Sequence, residues 1–524
     1  MFVAAAECCA VQRDFTAVIM LSLTIKELVS HFKAKKCSPV DICATCIKEI
    51  NDSSFLNAFV TVLPEAAEKQ ARESHARWKS GKPRGPLDGV PIAVKDNFCM
   101  KGVRTTCGSR MLANFHPPYT ATVVERLQGE GAVVLGKTNM DEFGMGSGAT
   151  DSAFGPTKNP WKNAGEAADD WYITGGSSGG SAVAVATGCS FGALGSDTGG
   201  STRNPASRCG VVGLKPTYGA LSRHGLIPLT NSMDVPGILA KCVDDAAVLL
   251  SATACADPND STSVSAPDSV RHLKLAGEPS LKGVKIGVPK EYHCPGMCPE
   301  VVDLWRDVAD RLAALGAVVS SVSLPHSRYS TECYSVLNCC EVASNFARYD
   351  GLEYGHRASD DSSTDALYAA SRHEGLNEVV RGRILAGNYF LLRANYEKYF
   401  TKALQVRRLI SDDFTKVFAS GVELLLTPVT LTAALRHSEW TLKDNRERAS
   451  VEDFCTQPVN MAGLPAVSVP CRLSRDGLPL SLQLVGPKFS EAAMLAAAKR
   501  LELELSFPRL DLQLHAHQES YATL

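Results

Sequence analysis

The chain has no run of about eighteen apolar residues, the least that a bilayer-spanning helix needs, so such a helix is excluded and no membrane is expected among its partners. An excess of one charge is missing too. With 54 Lys and Arg against 56 Asp and Glu, the formal charge is −2, so no global positive field exists to gather a phosphate backbone. Any nucleic acid is therefore expected to be held mainly by something else. No internal repeat of fixed period occurs, which argues against solenoids and propellers. The 18 cysteines follow no paired framework and a chain this long needs no staples, so reduced thiols in a cytosolic or matrix-like compartment are expected. Cys43 and Cys46 make one CxxC without a second half, and Ser38, Pro39 and Asp41 before them read as N-cap, N1 and N3 of a helix. Packing is the expectation for that pair, and for Cys294 and Cys298, with no metal site.

What is present is a large reserve of core. The 524 residues are 45% apolar and only 21% charged, enough for a globular protein of considerable size. Residues 1–20 read as an extension, either an unstructured one or a weak targeting segment, since Glu7 and Asp14 and a single arginine match the basic targeting type poorly. From 21 to 81 the pattern is helical: LSLTIKELVSHF, the capped segment, and EAAEKQARESHARWKSG closed by Gly81 and Pro83. Then the texture changes. Short runs rich in β-branched residues (VPIAV, AVVLG, VKIGVP, ELLLTP, AVSVP, LSLQLVG) alternate with helical patterns, which predicts an α/β domain with a buried sheet completed by parts of the chain far beyond Ser201. The segments 165–172 (GEAADDWY) and 256–280, rich in Asp, Ser and Pro, are expected as surface insertions or linkers.

Two glycine-rich stretches carry the chemistry. In GSDTGGSTRNPAS the N–H groups of Thr198, Gly199 and Gly200 lie beside Ser201, a turn suited to an oxyanion, yet no histidine lies within twenty positions on its N-terminal side. ITGGSSGGSAVAVATG, Ile173 to Gly188, is a second such turn, leading into a run of small residues that can pack closely as a helix. A serine nucleophile needs a base. Lys95 ends the apolar strand GVPIAVK, where lost hydration disfavours an ammonium, so a relay from Ser201 through Ser177 to a neutral Lys95 amine is proposed.

Two other motif readings compete. GAVVLGKT, Gly131 to Thr138, fits a phosphate-binding GxxxxGK[ST] loop, but AVVL is itself a strand run where an open loop is required. GGSSG fits the GxSxG elbow of an α/β-hydrolase with Ser177 or Ser178 as nucleophile, and would draw its base from His224, His293, His326 or His437.

From about Leu21 to Leu505, KDNF after an apolar strand, GGSSGGSAVAVATG, and GSDTGGSTRNPAS followed by GVVGLKPTYG resemble the amidase signature family. That resemblance implies one domain with a helical N-terminal part and a large mixed central sheet covered by helices on both faces, followed by a tail from 506 to 524. It also implies Lys95 as base, Ser177 as bridging serine in a cis peptide, Ser201 as acyl-forming nucleophile and Thr198, Gly199 and Gly200 as oxyanion hole. Further stretches, SRHGLIPLTNSMDVPGILAKCVDDAAVLL, ADPNDSTS, KGVKIGVPKEY and PVNMAGLPAVSVPC, resemble the animal mitochondrial members that serve tRNA-dependent amidotransferases. Such a protein hydrolyses glutamine in the mitochondrial matrix and needs no cofactor of its own. Its ammonia goes to a B subunit, which uses ATP and Mg and holds Glu-tRNA(Gln), and a small C subunit joins the two. The same similarity points to Arg383 and Asp453 for the charged ends of glutamine. A stand-alone amidase for another amide and a catalytically silent scaffold are the alternatives.

Overall fold

The computed structural model describes residues 18–161, 170–360 and 362–512. The N-terminal helices start where local chemistry dictates. Thr24 caps Ile25–Lys33 and exchanges hydrogen bonds with Glu27, and Ser38 does the same with Asp41 ahead of Pro39–Asp52, with proline at the first helical position. On the second helix Ile42, Cys43, Cys46 and Ile50 are all buried, so the two thiols of the CxxC belong to its apolar face. Most of residues 1–20 and of the tail from 506, and residues 162–169, which include 165–169 of the acidic insertion, lie outside the described residues.

All six apolar runs picked out above are strands, and five more join them in one sheet of 11. In chain order these are β1 (Phe59–Val62), β2 (Pro91–Lys95), β3 (Val133–Thr138), β4 (Gly192–Asp197), β5 (Val212–Lys215) and β6 (Val235–Ala240). After them come β7 (Lys285–Pro289), β8 (Val318–Val322), β9 (Leu424–Pro428), β10 (Ala466–Leu473) and β11 (Pro479–Val485). Across the sheet the order is β1-β3-β2-β4-β6-β5-β10-β11-β9-β7-β8, so the last three strands sit inside it, between β5 and β7. The sheet is mixed: β2 is parallel to β3 and β4, β7 to β8 and β9, and the remaining pairs are antiparallel.

Every residue of β2, β3, β4, β5, β6, β9 and β11 is buried. Successive side chains point to opposite faces of a strand, so burial of all of them means that both faces of the central sheet are covered. Only the edges are open, with no residue of β1 or β8 fully buried. Among the described residues no helix is long and apolar enough to cross a membrane.

The phosphate-loop look-alike is part of this sheet. Its Val133–Thr138 is β3, and Lys137 is engaged in a buried ion pair with Asp96 (Nζ to Oδ1, 2.9 Å) and a hydrogen bond to Thr105. No open loop remains to cradle a phosphate. Segment 256–280 runs along the surface but is pinned to it: Asp257 accepts hydrogen bonds from Thr122 and Ser222, and Ala266 and Val270 are buried. Of the rest of the insertion, Trp171 packs inward, against Ile173 and Trp440 and stacked on His437.

Candidate active site

Strands β2 and β4 run parallel with Val94 opposite Leu194, which brings Lys95, at the end of one, beside Gly195 and Ser196 near the end of the other. The carboxyl ends of parallel strands are where open α/β sheets gather ligands. Lys95 is fully buried and its Nζ meets three hydroxyls: Ser177 Oγ at 2.7 Å, Ser178 Oγ at 2.9 Å and Ser196 Oγ at 2.9 Å. Burial drives its pKa down to about 7, against the pull of the Asp141, Asp197 and Asp234 carboxylates. At neutral pH a large fraction of this amine is therefore uncharged, with two N–H donors and one lone pair. Ser178 donates its own proton to the Ser196 carbonyl (3.3 Å) and so faces Lys95 as an acceptor, which favours Ser177 as the donor to the lone pair.

Ser177 follows a cis peptide from Gly176. The helix Gly179–Ala186 begins two residues later, and a Cβ on Gly180 would come within 2.6 Å of the Asn139 backbone nitrogen and oxygen, so only glycine lets that helix sit against the 139 segment. Ser178 N–H donates to the Ser201 carbonyl (3.1 Å), which ties the two serine turns together. The Ser201 hydroxyl makes no hydrogen bond among the described residues, and Ser201 is 8% exposed, the most accessible member of the group.

The turn that carries Ser201 is fixed from below. Asp197, at the end of β4, accepts the N–H groups of Thr202 and Arg203 and is bound side-on by the Arg203 guanidinium, while Asn460 and Gln483 take further contacts from the pair. Burial alone would raise the Asp197 pKa, but Arg203 outweighs it and the carboxyl is held at about 2. Thr198 is anchored through its hydroxyl to Asp234 (2.7 Å). The N–H groups of Thr198, Gly199 and Gly200 find no acceptor among the described residues, an arrangement that leaves donors free for a developing negative charge. Gly200 has φ +149°, and a Cβ there would press on Thr456 Oγ1 and come within 2.9 Å of Asp453 Oδ1.

Asp453 thus lies beside the nucleophile turn. It is buried, receives a hydrogen bond from Ser147 (2.8 Å), and has a pKa raised to about 7, first by burial and then by the Glu452 and Asp197 charges. Arg383 lines a cleft of about 950 Å3, together with Asp151, Tyr334, Asn338 and Asn445. Tyr334 connects the two ends, since its ring lies against Gly199 and its hydroxyl accepts from Asn338, which in turn accepts from Arg383.

The structure therefore brings Lys95, Ser177 and the Ser201 turn together, with Asp453 next to them, while Arg383 lies on a cleft that Tyr334 joins to the turn. Sequence reading took Ser178 only as an alternative nucleophile, and it missed Ser196 and Asn97, whose amide donates to Ser196 (2.9 Å), although Asn97 stands in the quoted KDNF and Ser196 in GSDTGG. It also missed Tyr334 and Ser147, which no local motif marks. The histidines that the hydrolase reading would need are engaged elsewhere: His293 stacks on Trp305, His326 binds Asp413, His437 stacks on Trp171 and His224 lies on Tyr119. Among the described residues no group of three or more His, Cys, Asp or Glu is gathered to hold a metal ion.

With a buried lysine hydrogen-bonded to a serine of one glycine turn, and a second glycine turn presenting another serine, the chain has the make-up of an amidase-type enzyme, and it belongs to the amidase family, whose pattern matches residues 41–495. Within that family its similarity is specific. It is 99% identical over 505 residues to the A subunit of the mitochondrial glutamyl-tRNA(Gln) amidotransferase of Ixodes scapularis, a match covering 96% of this chain and 100% of that one. The Xenopus tropicalis counterpart is 56% identical, with 94% and 96% covered. The crystal structure of the corresponding A subunit of glutamyl-tRNA(Gln) amidotransferase from Thermotoga maritima superposes with a TM-score of 0.75 at 35% identity, over 94% of this chain and 98% of that one.

Proposed function

We propose that this chain is the glutaminase component of a mitochondrial glutamyl-tRNA(Gln) amidotransferase, acting through Lys95, Ser177 and Ser201. The observation that carries the chemistry is the fully buried Lys95 amine 2.7 Å from the Ser177 hydroxyl, in a chain nearly identical to a component of that enzyme. Glutamine enters the cleft with its α-carboxylate toward Arg383 and its α-ammonium toward Asp453, and its γ-amide carbonyl comes to rest over the Ser201 turn. Substrate turns the free Ser201 hydroxyl onto Ser177. As Ser201 Oγ attacks the carbonyl carbon, its proton passes to Ser177, whose own proton moves to the Lys95 lone pair.

The tetrahedral oxyanion is received by the N–H groups of the 198–200 turn. Collapse breaks the C–N bond, the proton returns through Ser177 to the leaving nitrogen, and ammonia departs. A water molecule, deprotonated along the same path, then hydrolyses the Ser201 ester to give glutamate. Each half-reaction leaves Lys95 as it began. In the complex, ammonia passes to a B subunit that binds Glu-tRNA(Gln) with ATP and Mg, and a C subunit joins the pair in the matrix. The near-neutral charge of this chain supports leaving tRNA to a partner.

Mass spectrometry of the chain treated with a glutamine-analogue electrophile tests the reading. Covalent label on Ser201, lost in Ser201→Ala and blocked by glutamine, is the expected result; label on Ser177 or Ser178 instead overturns it.

A further inference from the structure

Arg383 is held by two neutral oxygens. Its Nη1 donates to Asn338 Oδ1 (3.0 Å) and its Nη2 to Asn445 Oδ1 (3.1 Å), and among the described residues it forms no ion pair. A carboxylate nevertheless lies one amide away, because Asn445 turns its Nδ2 to Asp151 Oδ2 (3.2 Å) and to the Met145 carbonyl (3.4 Å). The orientation of that amide is dictated by its neighbours: a guanidinium only donates, so the oxygen must face Arg383, and a carboxylate and a carbonyl only accept, so the nitrogen must face the other side. Burial raises the Asp151 pKa against the opposing pull of the Arg448 charge, the Asn445 amide and the Arg383 charge, and Asp151 lines the same cleft as Arg383.

We infer that Asn445 is a positioning residue that insulates Arg383 from Asp151, keeping the guanidinium out of an internal ion pair, oriented and free to receive the carboxylate of the substrate. Without the amide between them, the acid and the base would neutralise each other, and an arriving carboxylate would have to displace an internal one. With it, the guanidinium meets only neutral oxygens, the acid is served by the amide and the Arg448 charge, and the positive charge of Arg383 stays directed into the cleft. The inference rests on Arg383 meeting the α-carboxylate, as proposed above.

The test compares glutamine with decarboxylated glutamine, 4-aminobutanamide, on the full chain within its amidotransferase complex. Asn445→Ala should raise KM for glutamine about tenfold or more, the worth of one charge-assisted contact, with kcat little changed and with no effect on KM for the decarboxylated amide. Adding Asp151→Asn to Asn445→Ala should restore KM, since no acid then remains to capture Arg383. The near-isosteric Asn445→Asp, which places a carboxylate on the guanidinium, should give a larger rise with the same substrate dependence, and it carries the test if the alanine variant does not fold. Equal loss on both substrates, or no rescue by Asp151→Asn, overturns the inference. Arg383→Ala separates the two layers: if it fails to distinguish the substrates, the assignment of Arg383 falls and the role of Asn445 with it. If it distinguishes them and the Asn445 variants do not, the role of Asn445 alone falls.

Discussion

Arg203 meets Asp197 through two parallel hydrogen bonds, Nε to Oδ2 at 3.0 Å and Nη2 to Oδ1 at 2.9 Å, with both side chains fully buried directly beneath Ser201. The same carboxylate accepts the N–H groups of Thr202 and Arg203, so it holds the chain in the bend that presents the serine. An acid kept ionised down to about pH 2 depends on that guanidinium. Replacing Arg203 with Ala strands the charge in the core, and a loss of about 3–5 kcal/mol is expected in chemical denaturation. Arg203→Lys keeps the charge but not the fork and should fall between the two. A wild-type unfolding midpoint for Arg203→Ala would contradict this account of the turn.

Lys95 makes activity depend on pH in a definite direction. Only its neutral form accepts the proton, and burial has brought its pKa to about 7, so the active fraction falls as pH drops through that value. In turnover on bound glutamine, log kcat should drop with unit slope below pH 7 and level off above it. Lys95→Ala should lose roughly two to four orders of magnitude in kcat and the acid limb together, as removal of a general base does. A kcat flat between pH 5 and 8 would remove the amine from the mechanism.

Gly200 tests the oxyanion turn. Its φ of +149° is a glycine conformation, and a Cβ would press on Thr456 Oγ1 and the Asp453 carboxylate. Gly200→Ala must shift the turn, and with it the N–H groups that face the developing charge. The expected outcome is a fall in kcat of about a hundredfold or more, accompanied by a rise in KM because the same Cβ crowds Asp453. Assaying kcat and KM separately decides it, and a change confined to KM would assign the glycine to substrate fit.

These features were unequally visible in the sequence. The strands that carry consecutive Val, Ile and Leu, such as β2 and β9, were legible because burial on both faces demands unbroken apolar runs. Strand β4 was not: its sequence GALGSD mixes glycines with polar residues, because Gly192 and Gly195 lie where a Cβ would crowd Leu249, Leu239 and Ser178. Lys95 stood out as a charge ending an apolar strand, and the serines as repeated glycine turns. Ser178 and Ser196 look like ordinary turn residues until the parallel pairing of β2 and β4 puts them around one amine. Tyr334 and Asn445 reach the cleft from helices far along the chain, and such contacts leave no local pattern to read.

Asp453 leads to a sharper pH test, because it must be ionised to receive the α-ammonium while Lys95 must be neutral to take a proton. Burial raises its pKa to about 7, aided by Glu452 and Asp197 and opposed by Ser147 and Asn204, so in the free enzyme both requirements fail over the same range as pH falls. Log kcat/KM for glutamine should therefore drop with a slope approaching two below pH 7, steeper than log kcat. The difference arises because a bound ammonium stabilises the Asp453 carboxylate and moves its titration to lower pH, leaving Lys95 alone to shape the profile of the complex. Asp453→Asn removes one of the two protons from the count. Its kcat/KM profile should return to unit slope, with KM raised about tenfold or more for a lost charge-assisted contact. A wild-type kcat/KM slope of one, or an Asp453→Asn profile as steep as the wild type, would take Asp453 out of glutamine recognition and leave it a buried partner of Ser147.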